Sequence, residues 1–328
     1  MNRTDIIKEL IQSFPETPTL TLAKKVYKEH PSMFSSVEVA RSAIRYQRGN
    51  NGIDNRKQTK DKSKFRKNCE AGYSMCIPKS IAKPINAFKL PQGKTAIMSD
   101  IHIPYHDDKA LAATLDHIDY VQPDNILLNG DICDFFTVSR WNKNPEERNL
   151  AAELQANRQF LGHLRERSPK SRIIYKIGNH EERWEIYLWT KAPEICGVAD
   201  FELSSILEFD KWGIEHAYGR QKIKAGKHLT IIHGHEIPGA YTPVNFARTL
   251  QTNLGVCTIG GHRHQTSTHA FKNADDKIIQ CWSLGCLCEM HPHYAPVNKW
   301  NHGFAIVELS GNDFDVENMR VIDGGIYS

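Results

Sequence analysis

The sequence predicts a layered α/β sandwich of about 235 residues carried behind a small N-terminal three-helix module, on three observations. Five short apolar runs each stop at a polar cluster, amphipathic helical stretches separate the first of these runs, and the last part of the chain reads as strands divided by turns. Alternation first and strands later fits a sandwich better than an all-parallel sheet.

The elements follow in order. TDIIKELIQSF places Ile6, Ile7, Leu10, Ile11 and Phe14 at helical spacing, with Thr4 as its cap. TLAKKVYKEH is a second helix ending before Pro31, and SSVEVARSAIRYQRG a third, opening at Ser35 or Ser36 with Glu38 behind and stopping at Gly49. These make a module over residues 1–50. Residues 51–93 begin with the polar, basic NNGIDNRKQTKDKSKFRKN and read as a linker. The sandwich is expected over 94–328. In it TAIMSD, NILLNGD, RIIYKIGNH, HLTIIHGH and VCTIGGHRH are strands. DKALAATLDHI, PEERNLAAELQANRQFLGHLRER and EERWEIYLW are helices, and KIIQCWSLG, GFAIVEL and FDVENMRVI are the closing strands.

Composition bounds the class. Of 328 residues, 40% are hydrophobic and 24% charged, as in a soluble globular protein. No run approaches the roughly 18 apolar residues of a membrane helix, and MNRTDIIKEL lacks the apolar core of a signal peptide. The eight cysteines form no C-x-x-C pair, and Cys286-x-Cys288 is too short for a structural zinc site, so free thiols in a reducing cytoplasm are expected. Charge is unevenly spread: residues 1–68 hold 15 basic against 7 acidic side chains, and the remainder 27 against 31. A basic head suggests an anionic partner, nucleic acid foremost.

The five strand ends carry the chemistry. They are Asp100-Ile101-His102, Gly130-Asp131, Gly178-Asn179-His180, His233-Gly234-His235 and Gly261-His262-Arg263-His264. Ligands of open α/β sheets gather beyond the carboxyl ends of the strands. Residues two apart on an extended backbone share a side, so Asp100 with His102, and His262 with His264, are expected to aim at one point. The adjoining glycines let the chain turn close to an ion. His30, His117, His163, His216 and His228 lack such a setting and read as ordinary histidines, while His106 and His235 read as neighbours of the site. Cys133 reads as a small buried side chain, and Trp184 and Trp189 as core.

In the order D-x-H, G-D-x-x-D, G-N-H-E, H-G-H and G-H-x-H, residues 94–309 resemble the calcineurin-like metallophosphoesterases. That resemblance implies a sandwich of the metallophosphoesterase type. It also implies one ion held by Asp100, His102, Asp131 and His264 and a second by Asp131, Asn179, His233 and His262, with Asp131 shared. His180 would face the substrate phosphate with Asp134 behind it. Ligands restricted to nitrogen and oxygen suit Mn, Fe, Zn or Ni, manganese first. Two such ions clamp an in-line displacement at phosphorus and acidify water. Protein phosphatases of this superfamily carry G-D-x-x-D-R-G, whereas Phe135 and Phe136 follow Asp134 here, which argues against a protein substrate. Arg140 and Arg183 are the candidates to replace the missing arginine.

Arg41, Arg45 and Arg48 recur along the third helix, and Lys57, Lys60, Lys62, Lys64, Arg66 and Lys67 follow in the linker, in the manner of a helix-turn-helix module with a phosphate-contacting tail. The expected activity is therefore hydrolysis of a phosphodiester in nucleic acid. The alternatives are an esterase for a small nucleotide-like substrate, whose head serves assembly, and a non-catalytic protein-binding member of the fold.

Overall fold

The computed structural model describes residues 2–49, 80–141, 146, 149–237 and 244–328. Two compact units divide the chain, Met1–Lys83 and Pro84–Ser328.

In the first unit, helices α1 (Arg3–Ser13), α2 (Thr19–Glu29) and α3 (Val37–Gln47) close on Ile7, Leu22, Ala23, Val26, Phe34, Ala40 and Ile44. The cap of α1 is Asn2 rather than Thr4. The Asn2 side chain accepts from the backbone N–H groups of Thr4 and Asp5, and Asp5 reaches back to complete a capping box. Ser36 caps α3 by accepting from Val39 N–H. The three arginines of α3 are not equivalent. Arg48 donates to Thr19 Oγ1 and to the carbonyls of Phe14 and Pro15, tying the end of α3 to the first turn of the unit, while Arg41 pairs with Glu38 at 3.3 Å. Arg45 stays exposed. The basic linker residues Lys57 to Lys67 lie outside the described residues.

The second unit is built on two sheets. One orders its strands β13-β12-β11-β2-β3-β4-β5, from β2 (Gly93–Met98), β3 (Asn125–Asn129), β4 (Arg172–Lys176), β5 (Ile214–Ala217), β11 (His302–Ser310), β12 (Asp313–Ile322) and β13 (Gly325–Tyr327). The other runs β1-β6-β7-β8-β10-β9, from β1 (Phe88–Lys89), β6 (Ile223–Ala225), β7 (Leu229–Ile232), β8 (Cys257–Gly260), β9 (Ser267–Lys272) and β10 (Ile278–Ser283). All five predicted apolar runs are strands. Phe88 and Lys89 pair with Ile223 and Lys224, so residues 84–93, expected in the linker, belong to the sandwich.

Period-2 alternation explains the layering. Ala96, Met98, Ile126, Leu128, Ile173 and Tyr175 face an outer core shared with α4 (Asp108–Val121), α5 (Leu150–Arg167) and α6 (Glu182–Lys191). The intervening Ile97, Leu127 and Ile174 face the other sheet, where Leu229, Ile231 and Ile259 meet them. Residues buried on both faces give the continuous apolar runs seen in the sequence. Beyond the second sheet, Phe246, Ala247 and Leu250 of α9 (Phe246–Leu254) cover Ile232 and Cys281. Two short 3₁₀ turns and the four-residue helices α7 (Leu203–Ile206) and α8 (Phe209–Trp212) lie between α6 and β5. The six described cysteines are free, and no described helix is long and apolar enough to cross a membrane.

Strands β2, β3 and β4 are mutually parallel, as are β7 and β8, so their carboxyl ends deliver the five polar clusters to one edge of the sandwich.

Candidate active site

Six of the seven proposed ligands converge, and the seventh, Asn179, lies between Gly178 and His180, both of which approach Asp131. His264 Nε2 lies 3.1 Å from Asp100 Oδ1 and 3.2 Å from His102 Nε2, and His233 Nε2 lies 3.2 Å from Asp131 Oδ2. His102, Asp131 and His180 form one close group of donor atoms, Asp131, His233 and His262 a second that shares Asp131 with it, and His102, His264 and Cys288 a third. Asp100, Asp131, His102, His233 and His264 are buried.

Asp100 and His102 do not reach this point from an extended backbone. Both adopt left-handed φ values, 58° and 54°, as do Asp131 at 53°, His262 at 68° and His264 at 55°. Each such residue costs about 1–3 kcal/mol unless its surroundings enforce it. The enforcement is visible: Asp100 Oδ2 accepts from Ser99 Oγ at 2.7 Å and from His262 N at 2.8 Å, cross-linking two of the turns. Two glycines are demanded by close approach. A Cβ on Gly130 (φ +88°) would fall 2.6 Å from His233 Nδ1, and one on Gly178 would fall 2.5 Å from Asp131 N.

Three glutamates to which sequence reasoning assigned no role hold these turns, Glu181 and Glu153 buried and Glu236 half-buried. Glu181 accepts from the N–H groups of Asp131, Ile132, Cys133 and Gly178 and from the Tyr175 hydroxyl. Glu236 accepts from His233 N and Gly234 N and pairs with the fully buried Lys176 at 2.8 Å. Burial would raise its carboxyl, but Lys176 and then His235 bring it down to about 2. Glu153 accepts from the backbone of Phe135, Phe136 and Thr137. Glu181 and Glu236 directly follow the G-N-H and H-G-H clusters, which is the only signal the sequence offers for them.

The imidazoles are oriented from behind. His233 Nδ1 donates to Asn129 O at 2.7 Å, leaving Nε2 toward the carboxylates. Asp134 accepts from His102 Nδ1 at 3.0 Å and also lies 3.2 Å from His180 Nδ1, so it orients two rings where the sequence suggested one. The His180 Nδ1–H donates to the Asp134 carbonyl at 2.8 Å, and Arg183 lies 2.7 Å from His180 Nε2. That contact needs the neutral ring. Burial lowers the imidazole, yet Asp131 and Asp134 together hold it above its usual value, and protonation would turn Arg183 away. Arg183 also donates to Asp134 O at 2.8 Å. It thus stands beside the centre, whereas Arg140 lies over the ring of Trp141.

Charge is balanced within the cluster. Burial would raise both carboxyls, but His264 and His233 hold Asp100 far below the usual carboxylate range, and His180 and His233 do the same to Asp131. Burial lowers His233, but Asp131 and Asp100 outweigh it and push the ring up to about 10; burial and the His233 charge bring His262 down to about 3.

The donor set fits divalent ions. Asn179 Oδ1 is buried with no hydrogen-bond partner among the described residues. Asp100 Oδ1 has three imidazole nitrogens within 4.0 Å but accepts no well-directed hydrogen bond. Acceptors gathered without donors are what a cation satisfies.

The remaining residues sort as follows. His235 Nε2 reaches Glu182 at 3.3 Å and His106 Nε2 reaches Asp108 at 3.3 Å, both outside the ligand groups. Cys133 is buried and donates to Asn157, and burial pushes its thiol well up, so it carries no thiolate. Trp184 is core, stacked on Phe135. Trp189 is not: it is 60% exposed and lines a cavity of about 340 Å³ with Val198 and Tyr218.

No family model matches the sequence. The Gene 54 protein of Mycobacterium phage L5 is 27% identical over 244 residues, 70% of this chain and 94% of that protein; its namesake in phage D29 is 28% identical over the same length. Among solved structures, Vps29 from Entamoeba histolytica complexed with Zn+2 is 13% identical, covering 71% of this chain and 96% of its own, at a TM-score of 0.37. Yfce, a phosphoesterase from E. coli, is 14% identical over 68% and 98% of the two chains, at 0.33. A dimetal phosphatase from Danio rerio is 10% identical over 72% and 96%, at 0.33. In the order of its five motifs and in the two-sheet architecture that joins them, this chain is similar to the calcineurin-like metallophosphoesterases.

Proposed function

We propose that the chain is a dimetal phosphoesterase acting on phosphodiesters of nucleic acid. One observation carries the reading: six nitrogen and oxygen donors from four separate strand ends meet in one cluster, beside which Asn179 Oδ1 is left unsatisfied.

Asp100, His102, Asp131 and His264 would hold one ion, and Asp131, Asn179, His233 and His262 the other. When bound, the ions supply positive charge to the phosphate and acidify water. The chain's own residues do the rest. Asp134 keeps His102 Nε2 and His180 Nε2 turned inward. Arg183, whose guanidinium stands beside His180 and Asp134, would offer bidentate contact to phosphate in place of the missing G-D-x-x-D-R-G arginine. His180 Nε2, 3.7 Å from Asp131 Oδ2, would give a proton to the leaving oxygen from the imidazolium form, which Asp131 and Asp134 favour and in which Arg183 turns from the ring. A non-catalytic role is disfavoured because no donor of the set is missing.

Support for nucleic acid comes from the head, where residues 1–68 hold 15 basic against 7 acidic side chains and Arg45 is exposed on α3. The test compares the full chain with a protein lacking residues 1–68, both supplied with Mn²⁺, on bis-p-nitrophenyl phosphate, p-nitrophenyl phosphate and single- and double-stranded DNA. Deletion should weaken DNA binding, remove its steep salt dependence of about −0.9 in log K per phosphate contact, and spare hydrolysis of the small diester. Unchanged DNA affinity, with an altered mass in solution, would instead assign the head to assembly.

A further inference from the structure

The rim beside the candidate metal centre carries an exposed tyrosine, Tyr294, and a half-buried tryptophan, Trp300. The segment from Glu289 to Asn301 joins the end of β10 to β11 and is knitted by its own polar groups. Asn298 Nδ2 donates to the carbonyls of Met290 and Ala295, and its Oδ1 accepts from Trp300 N at 2.8 Å. Asn301 N donates to His264 O at 2.9 Å, and Glu289 N to Tyr105 O at 2.9 Å, so both ends are fixed to turns of the site. The aromatics on this segment are therefore held in place before any ligand arrives, which lowers the entropy lost on binding.

Their placement points at the centre. The Trp300 ring packs edge-on against the proposed ligand His264 with centroids 4.2 Å apart, and Tyr294 lies 6.3 Å from Trp300. Tyr294 is 71% exposed, and through Trp300 it is held beside the His264 turn. An exposed tyrosine braced by a half-buried tryptophan beside the site is poorly explained as core and well explained as a surface for a flat ring.

We propose that Tyr294, braced by Trp300, is a stacking platform that takes a nucleobase of the phosphoester substrate, an inference that rests on the phosphoesterase reading of the site. Stacking tolerates any base, because every base offers a π-face, and Arg183 beside His180 would hold the adjoining phosphate. The base can belong to a single strand or to a free nucleotide.

The test uses the full chain with Mn²⁺ and follows inhibition of bis-p-nitrophenyl phosphate hydrolysis by adenosine 5′-monophosphate, ribose 5-phosphate and an eight-nucleotide oligo(dA). Quenching of tryptophan fluorescence provides a readout independent of turnover. The monophosphate should inhibit roughly 10-fold more tightly than ribose 5-phosphate, the size of one stacked base. Tyr294→Ala and Trp300→Leu should each bring that ratio toward one, and Tyr294→Phe should restore it. Tighter inhibition by the oligonucleotide than by the monophosphate assigns the ring to a strand, the reverse to a free nucleotide, and both uphold the platform. Equal inhibition by monophosphate and sugar phosphate, with the diester still hydrolysed, overturns the platform alone. No hydrolysis and no binding of either phosphate overturns the reading of the site and the platform with it.

Discussion

Glu181 Oε2 accepts from the backbone N–H of Asp131 at 3.0 Å, so a buried carboxylate that is no proposed ligand fixes the residue that both proposed ions would share. Its two oxygens serve five donors in all. Glu181→Gln turns an amide N–H₂ toward some of those donors and should destabilise the fold by about 2–4 kcal/mol. Urea denaturation measures this. A loss below about 0.5 kcal/mol would mean that the turn is held by other contacts.

His180 and Arg183 should separate chemistry from metal binding. His180→Ala should retain the metal of the wild type while turnover falls by roughly 10²–10⁴-fold, the range for a lost proton-transfer group. Arg183→Ala should act mainly on KM, since its guanidinium stands beside His180, where the proposed phosphate would bind. Metal analysis and steady-state kinetics on both variants check this; metal lost in step with activity would make His180 a ligand.

Metal uptake should release protons. In the metal-free cluster His233 is held protonated, its pKa near 10, by Asp131 and Asp100, and a cation must displace that proton. Affinity should therefore rise as pH rises toward 10. Calorimetric titration with Mn²⁺ at pH 7, in two buffers of different ionisation enthalpy, should show at least one proton released. Identical heats in both buffers would contradict it.

Much of this was legible in the sequence, because each of the five clusters sits where an apolar run stops, and a strand buried on both faces has no other way to end than in a turn. The short strands were harder. Ile214–Ala217 and Ile223–Ala225 are too brief for a pattern, and Ser267–Lys272, at the edge of its sheet, alternates between half-buried and exposed residues and carries little apolar signal. The left-handed backbone at Asp100 and His102 was invisible, since its long-range support, the bond from His262 N to Asp100 Oδ2, comes from a turn 162 residues away. Buried glutamates escaped for the same reason. The donors that make Glu181 tolerable in the interior come from Tyr175 and from a turn fifty residues away.

Glu153 gives a stability prediction with a definite sign. Burial first, and then the charge of Asp134, raises its carboxyl from the usual 4.5 to about 7. The folded chain therefore binds this proton more tightly than the unfolded one. Its contribution is full below pH 4.5 and is lost as pH rises to about 7, amounting to at most roughly 3 kcal/mol. Glu153→Gln still offers an oxygen to the Phe135–Thr137 backbone but cannot titrate. It should flatten the fall in stability between those pH values relative to the wild type, as thermal unfolding across pH would show. Parallel pH profiles for the two proteins would contradict the assignment.

The central claim is a two-ion centre shared through Asp131, and metal content measured together with hydrolysis tests it most directly. Wild-type protein loaded with Mn²⁺ and freed of excess metal should hold about two ions per chain and cleave bis-p-nitrophenyl phosphate, as two-metal phosphoesterases do. Asp131→Ala removes a donor from both positions and should lose more metal than Asn179→Ala, with hydrolysis abolished. Two full ions retained in Asp131→Ala, or a fully loaded wild type that cleaves no phosphate ester, would contradict it.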